Sequence, residues 1–374
     1  MKKIKLGFIF VVLFVSLVGC AEQKLLEQIG LTTLLGYDLR EDDKLSVTAV
    51  VRQVNPEFQS NVEVISAENE TIRGARTVIN RKTSKKNVTG QMRVVLFGEE
   101  ISKDGIAHYI DTLSKNSETS GGLYVAVVEG ETKSLLEYQY QEIEDIGIHI
   151  FKLLEQNIKS EQMISSTIHE VAHDYYSLGR DVALPIIKRK DEIVEISGVA
   201  LFNKDKMVGK LSAENSFYLK LARDFHKAAM FETKIPKESL PASQTQESQE
   251  DITVVIDTIS TKKKLKLINP DTPEFDMQFT VRGRLLEIEA NMDMDNPKNV
   301  QKLEEEIEKS MSKNLAKILV YCQEVDSDVF GLGEFYRSSV RESDLTYEKW
   351  HEMYKDAKVN FKIDFTVLRS GIFE

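Results

Sequence analysis

The spacing of apolar and polar residues divides the first third of the chain into predicted strands and helices. Leu45–Val51 alternates apolar with polar residues, which predicts a β-strand. Apolar residues recur at helical spacing across residues 66–82 and again across 101–114, so both segments are predicted to be helices. Short apolar runs at 93–97 and 123–128 predict buried strands.

The pattern changes near residue 190. Residues 143–178 predict long helices, and Pro185 together with the charged run Lys188–Glu192 predicts the end of that helical region. Ile193–Phe202 and Met207–Leu211 then predict the two strands of a hairpin, because only a short polar segment separates them.

The C-terminal part of the chain repeats this mixture. A helix is predicted over residues 213–230, followed at 236–250 by a segment rich in Ser, Gln and Glu that is typical of a solvated loop. Strands are predicted at 252–259 and 275–289. The clearest helix spans 299–322, where apolar residues step by three or four.

The last predicted strand, 359–367, has one apolar and one polar face, which is typical of an antiparallel sheet with one solvated side. Hairpin strands that alternate with helices favour an α+β fold, a multi-domain body with antiparallel and mixed sheets packed by helices. We predict an N-terminal α+β region over 20–190, with a second division near 135–140 as an alternative. A C-terminal α+β domain over 195–374 follows, and it includes the loop at 236–250.

Composition and charge narrow the class of protein. The chain has 374 residues, which suggests two or three domains, and its 41% hydrophobic and 29% charged residues are ordinary for a folded protein. A formal charge of −11 gives no overall electrostatic reason to bind nucleic acid. Two cysteines exclude a small disulfide-stabilised scaffold.

The N-terminus predicts a lipoprotein. A basic start and an uncharged run over residues 6–18 are typical of a secretory signal, and the run is too short for a comfortable transmembrane helix. Leu17–Cys20 matches the bacterial lipobox, so we predict a signal peptide over residues 1–19 and a diacylglycerol on the thiol of Cys20. The chain is therefore expected at the outer surface of a bacterial membrane.

Removal of the signal also changes the charge. Lys2, Lys3 and Lys5 are lost with it, so 46 basic residues remain against 60 acidic ones and the net charge becomes −14. A body with that net charge is not drawn to an anionic membrane, so the lipid must hold it there. The remaining thiol, Cys322, lies in an apolar helical stretch and is expected to be buried and inert.

One motif could carry enzymatic chemistry. His169, Glu170 and His173 form an H-E-x-x-H pattern, in which two histidines on one helix face can bind Zn²⁺ and the glutamate can act as a general base. A third zinc ligand is not evident in the sequence. The alternative is a solvated helix face whose other side, with Ile164, Ile168, Val171 and Tyr175, packs against the core.

Motifs along nearly the whole chain resemble those of the Ger(x)C lipoproteins, the C subunits of germinant receptors in endospore-forming bacteria. They occur in the family's order and are as follows: Cys20, Gly36–Asp38, Gln53–Pro56, Val94–Phe97, Gly98–Glu100, Gly105, Ile106, Asp111–Leu113, Gly198, Phe202, Gly209, Leu211, Gln323, Asp326–Asp328, Phe330–Gly333, Arg337, Trp350 and Gly371. The set from Gln323 to Gly371, here called the C-terminal signature, is the most specific.

The resemblance implies a non-enzymatic subunit without a cofactor, which assembles or transmits a signal with a polytopic A subunit and a transporter-like B subunit. It implies a location at the spore inner membrane, held by the lipid on Cys20, and no nucleic-acid partner. Two other hypotheses stay open. One is an extracytoplasmic zinc metalloprotease that uses His169, Glu170 and His173, and the other is a solute-binding lipoprotein.

Overall fold

A computed structural model of the chain describes residues 29–40, 44–53, 61–223, 229–240, 251–290, 292–341 and 343–368. The predicted signal peptide, Cys20, the end of the strand at Asn55-Pro56, Gly371 and positions 241–250 of the polar loop lie outside the described residues. None of the helices within the described ranges is long and apolar enough to cross a membrane.

These residues form thirteen strands and ten α-helices. The strands are β1 Ile29–Leu39, β2 Leu45–Gln53, β3 Asn61–Asn69, β4 Lys86–Val88, β5 Val94–Gly98, β6 Tyr124–Val128, β7 Ala183–Lys190, β8 Ile193–Asn203, β9 Lys206–Ser212, β10 Met230–Pro236, β11 Asp251–Asn269, β12 Glu274–Ile288 and β13 Lys358–Val367. The helices are α1 Ile72–Lys82, α2 Glu99–Asp104, α3 Ala107–Lys115, α4 Thr132–Leu136, α5 Ile146–Lys159, α6 Ile168–Tyr176, α7 Ala213–Arg223, α8 Pro297–Glu324, α9 Leu332–Ser339 and α10 Tyr347–Tyr354.

The first sheet has nine strands in the order β3-β2-β1-β5-β6-β7-β8-β9, with β4 paired to β1. Its centre, β1-β5-β6-β7, is parallel, and the outer pairs are antiparallel. Parallel strands need cover on both faces, and every residue of β5 is buried. One face packs against Ile79 of α1 and Ile110 of α3, and the other against Leu136 of α4 and Ile150 of α5.

The second sheet has the order β10-β11-β12-β13. Alternate residues of β12, from Phe275 to Val281, face inward and are fully buried. They belong to the same apolar cluster as Leu303, Met311 and Leu315 of the long helix α8. The opposite face of this sheet carries polar and charged residues, so the sheet is covered on one side by the described part of the chain.

The expected α+β fold with mixed sheets is confirmed, with one correction in the second sheet. The prediction that the last strand lies in an antiparallel arrangement is wrong, because β13 pairs with β12 in parallel from Glu274–Lys358 to Gly283–Val367. Alternation of apolar and polar residues reports that one face is buried, and it carries no information about the direction of the neighbouring strand.

Three local predictions were also wrong. Residues 66–69, expected in a helix, end strand β3, and the helix expected over 101–114 is split into α2 and α3. Gly105 causes the split, since it has a φ of 140° that helical residues do not adopt. Pro185 lies inside β7, and the described pairing of β6 with β7 begins one residue later, at Ile186, so the missing N–H of Pro185 breaks no bond there.

The first sheet continues across the predicted boundary at 190–195. The hairpin of β7 and β8 pairs Lys190 with Ile193, and β9 then forms the edge of the same sheet. The change of sheet comes after α7. The division of the chain into an N-terminal region over 20–190 and a C-terminal domain over 195–374 stays a prediction.

Candidate functional site

The motif of His169, Glu170 and His173 lies on α6, as the sequence predicted for an H-E-x-x-H helix. Both histidine side chains are exposed and share one face of the helix. His173 Nδ1 lies 3.3 Å from Asp174 Oδ1, and its Nε2 lies 3.6 Å from Glu334 Oε1. Across the described ranges, no group of three or more His, Cys, Asp or Glu side chains is placed to hold a metal ion.

Glu170 has a structural role at the start of α6. Its Oε2 accepts hydrogen bonds from Thr167 N at 3.2 Å and Thr167 Oγ1 at 2.7 Å, while Glu170 N donates to Thr167 Oγ1. This reciprocal pair is a capping box, which satisfies backbone donors at the helix N-terminus. The opposite face of α6 packs in the core through Ile168 and Val171, as the alternative interpretation expected.

The C-terminal signature is organised around the carboxylate of Asp328, which is fully buried. Its Oδ1 accepts hydrogen bonds from Gly331 N at 2.9 Å and Leu332 N at 3.1 Å. Its Oδ2 accepts from Gly333 N and from the indole Nε1 of Trp350, each at 2.8 Å. Burial, opposed by these donors and reinforced by a nearby aspartate, raises the pKa of Asp328 to about 6.

That nearby aspartate is Asp181, which precedes β7 and links the signature to the first sheet. Its Oδ2 accepts from Asp328 N at 2.7 Å, and its own N–H donates to Asp328 O at 3.0 Å. Its Oδ1 accepts from Lys204 N, in the turn between β8 and β9, and from the hydroxyl of Tyr347 at 2.7 Å. One buried carboxylate thus joins the first sheet to the signature and to α10.

A histidine of α10 completes this cluster. His351 is buried between two carboxylates, with Nε2 at 3.3 Å from Asp181 Oδ2 and Nδ1 at 2.9 Å from Asp326 Oδ1. Burial by itself lowers the pKa of His351, but the carboxylate of Asp181 and then that of Asp326 outweigh it and raise the pKa to about 9. His351 is therefore cationic at neutral pH. We refer to Asp181, Asp326, Asp328 and His351 as the acidic junction.

A buried arginine ties α6 and α7 to the same place. Arg223, at the end of α7, pairs with the carboxylate of Asp174 on α6. Its Nη1 donates to Asp181 O at 3.2 Å and to Val329 O at 3.1 Å. Arg180 also approaches this carboxylate, with its Nε 3.5 Å from Asp174 Oδ1, so the buried charge of Asp174 is paired beside the acidic junction.

Two glycines allow the backbone to come this close. A Cβ on Gly333 would lie 2.5 Å from the indole of Trp350 and 2.7 Å from Gly179 Cα, and Glu334 N donates to Gly179 O at 2.8 Å. The N-cap of α9, Gly331, has a φ of 73°, in the left-handed region that glycine favours. Gly331 is therefore favoured by its backbone conformation, and Gly333 by the close approach of Trp350 and Gly179.

The N-terminal motif Gly36–Asp38 also has a structural function in the first sheet. Asp38, at the end of β1, accepts hydrogen bonds from Thr132 N and Thr132 Oγ1, each at 2.7 Å, and from Lys133 N at 3.0 Å. Burial raises the pKa of Asp38, and the donors of Thr132 and Lys133 oppose that effect. The aspartate caps the start of α4 and fixes this helix on the sheet.

These contacts describe a site that holds segments together. The thiol of Cys322 is buried. Burial, and then the nearby carboxylates of Asp328 and Asp181, raise its pKa well above the ordinary value, so the thiol is not activated for reaction.

Sequence reasoning identified Asp326, Asp328 and Trp350 through the signature but did not single out Asp181, Asp174, Arg223 and His351. The available signal was weak: Asp181 and Arg223 are charged residues beside the largely apolar runs 182–187 and 217–222, a placement that surface residues also have.

Comparisons with known proteins give the family and the fold of the chain. Residues 22–189 match the family described as the spore germination protein N-terminal domain, and residues 197–371 match the spore germination B3/GerAC-like C-terminal domain. The spore germination protein GerQC of Bacillus cereus is 27% identical over 99% of this chain and 100% of its own length. The crystal structure of the GerBC protein superposes with a TM-score of 0.57 at 15% identity, over 90% of this chain and 97% of that one, which shows a shared fold.

Proposed function

The chain belongs to the Ger(x)C family of spore germination proteins, and we propose that it is the lipid-anchored C subunit of a germinant receptor. In this role it supports nutrient-triggered germination by assembling with membrane A and B subunits or by transmitting their signal. The observation that carries the proposal is the match of both family domains, in order, over residues 22–189 and 197–371.

The arrangement of the acidic junction supports an assembly role. Its carboxylates accept hydrogen bonds from helix N-termini and side chains, and the described cysteine is buried, so the junction offers no activated nucleophile. It holds together segments that lie far apart in sequence, from Asp181 to His351. A rigid body of this kind can present a fixed surface to membrane subunits.

The lipid anchor is the second part of the proposal. Its support is the lipobox at Leu17–Cys20, which predicts a diacylglycerol on Cys20. Two acyl chains anchor a protein stably because each buried methylene contributes about 0.8 kcal/mol. The anchor would hold the body at the outer surface of the spore inner membrane despite its acidic charge.

A complementation experiment tests both parts. A deletion strain receives the wild-type gene, the Cys20→Ala variant or, as a matched control at the other cysteine, Cys322→Ala. We expect Cys20→Ala to lose lipid labelling, leave the membrane fraction and fail to restore nutrient-triggered germination. Cys322→Ala keeps the anchor. Undiminished lipid labelling of Cys20→Ala contradicts the anchor.

The receptor role is tested separately from the anchor. An affinity-tagged chain, cross-linked in intact spores, is expected to co-purify a polytopic membrane subunit and a transporter-like one. Spores that lack this gene and every related receptor gene should not respond to nutrients. A normal nutrient response in such spores contradicts the proposed role, whatever the state of Cys20.

A further inference from the structure

The second sheet has an uncovered face that differs in charge from the rest of the chain. On β11, Lys262, Lys264 and Lys266 alternate with inward-facing residues and are exposed. Their partners on β12 are Thr280, Gln278 and Asp276. The exposed Arg282 lies on the same face of β12 two residues after Thr280, and the exposed Lys362 of β13 lies opposite Gln278. We call this surface the outer face, and it consists of Lys262, Lys264, Lys266, Asp276, Gln278, Thr280, Arg282, Arg284, Lys362 and Asp364, with Asp257 at one end.

The outer face carries a surplus of positive charge. Between the cross-strand pair Lys266–Asp276 and the pair Asp257–Arg284, the outer face has six cationic side chains and three carboxylates, whereas the whole chain has a net charge of −11. The cations are Lys262, Lys264, Lys266, Arg282, Arg284 and Lys362, and the carboxylates are Asp257, Asp276 and Asp364. Two of the cations are neutralised locally, since Lys362 Nζ lies 2.7 Å from Asp276 Oδ2 and Arg284 Nη2 lies 2.7 Å from Asp257 Oδ2.

The other four cations of the outer face have no such partner. Lys262, Lys264, Lys266 and Arg282 form no ion pair with any residue that the structure describes. At the centre of the face, the uncharged Gln278 lies between Lys264 and Lys362 in the cross-strand register. The middle of the sheet is therefore a strip in which cations outnumber carboxylates, with Asp276 opposite Lys266 and Asp364 opposite Thr280.

Apolar side chains border this strip at irregularities in the pairing of β11 and β12. The register skips Ile259, Ile268 and Leu286, so each is the extra residue of a bulge, and bulges re-aim side chains. These side chains are 47%, 44% and 45% exposed, and Met230, opposite Asp257, is 49% exposed. Four of the eight large apolar residues that the described chain leaves exposed thus belong to this one sheet.

We propose that the outer face lies against the anionic lipid headgroups of the membrane that holds the chain. Lysines are depleted in the cores of protein–protein interfaces, whereas clustered lysines beside isolated apolar side chains are typical of surfaces that bind anionic lipid. Each cation near such a surface increases binding about fivefold. The inference rests on the proposed lipid anchor, and it adds an orientation in which β11–β13 face the bilayer and α8 faces away.

Site-specific fluorescence tests the orientation. The full-length lipoprotein is reconstituted in vesicles of phosphatidylcholine with about a third phosphatidylglycerol, or of phosphatidylcholine alone. A probe is attached to Gln278→Cys on the outer face or to Ala316→Cys on the exposed side of α8, and quenching by headgroup-labelled lipid is measured. Cys322 is buried and should not be labelled.

We expect quenching at Gln278→Cys only in the anionic vesicles and none at Ala316→Cys. The combined variant Lys262→Gln, Lys264→Gln and Lys266→Gln should lose this quenching. A control with the same loss of charge on α8, Lys298→Gln, Lys313→Gln and Lys317→Gln, should keep it. Equal quenching at both probe positions, no dependence on lipid charge, or the same result for both triple variants overturns the proposal.

Failure of the anchor can be told apart from failure of the orientation. At high salt the contacts of the outer face are screened, so only the acyl chains hold the protein on vesicles. A chain that leaves the vesicles at high salt contradicts the anchor. A chain that stays on the vesicles but shows no quenching at Gln278→Cys contradicts the orientation, as does cross-linking of that position to a protein in spores.

Discussion

The charge on His351 should contribute measurably to the stability of the folded chain. Its pKa is raised from 6.5 to about 9 by Asp181 and Asp326, against the effect of burial. Because the folded pKa lies above the unfolded one, the stabilisation is fully present below about pH 6.5 and is lost as the pH rises through about 9. A difference of about 2.5 pKa units corresponds to about 3 kcal/mol in the free energy of unfolding.

The experiment compares the wild type with His351→Gln, which stays neutral at every pH. Urea unfolding is followed by the fluorescence of Trp350, the single tryptophan, whose indole donates to Asp328 within the acidic junction. Near pH 6 we expect the variant to be less stable by about 3 kcal/mol, and near pH 10 the two proteins should differ by less than about 1 kcal/mol. The thiol of Cys322 also ionises in the unfolded chain over this range, but it does so in both proteins and cancels in the difference.

The refuting result is a stability difference between wild type and variant that stays constant from about pH 6 to pH 10. Such a result would mean that His351 is not charged between the two carboxylates. A difference that grows with pH would contradict the sign of the argument.

Three further predictions concern the same region. Gly333→Ala should lower the free energy of unfolding by about 2–3 kcal/mol, because the added Cβ would overlap the indole of Trp350. The control Gly121→Ala, where the added Cβ has open space, should change it by less than about 0.5 kcal/mol. Equal effects of the two variants in urea unfolding would contradict this prediction. Asp328→Asn should lower the free energy of unfolding by about 2–4 kcal/mol, because the amide NH2 would face N–H groups that now donate to the carboxylate. The control Asp271→Asn, at an exposed position, should have little effect. Unchanged stability of Asp328→Asn would contradict the role of this carboxylate as the group that organises the signature. Cys322 should not react with a thiol reagent in the native chain and should react in urea, and rapid native labelling would show that this helix is not packed as described.

The regular elements were predictable where one face of an element is buried. The long helix α8 was recognised over 299–322 and spans Pro297–Glu324, because its apolar residues step by three or four. The hairpin of β8 and β9 was recognised from its alternation and its polar turn. Strands β1, β3, β7 and β10 were missed or assigned to other elements, since tertiary pairing decides the state of such segments.

Some residues of the candidate site were found from the sequence, and others only from the tertiary structure. The positions of Asp326, Asp328 and Trp350 followed from the resemblance of the C-terminal signature to a family. Their partners Asp181 and His351 did not, because the hydrogen bond between Asp181 and Asp328 spans 147 positions of the chain. No local pattern encodes a contact of that separation.

The sequence by itself determined the class of the chain and most of its helices and strands, since composition, periodicity and turn residues act locally. It also predicted the lipid anchor at Cys20, the burial of Cys322 and the family. Only the tertiary structure decided the strand order, the parallel placement of β13, the acidic junction and the cationic outer face. These features depend on which distant segments pack together. Packing sets the burial and the charged contacts of an aspartate or a lysine, and the adjacent residues in the sequence do not specify them.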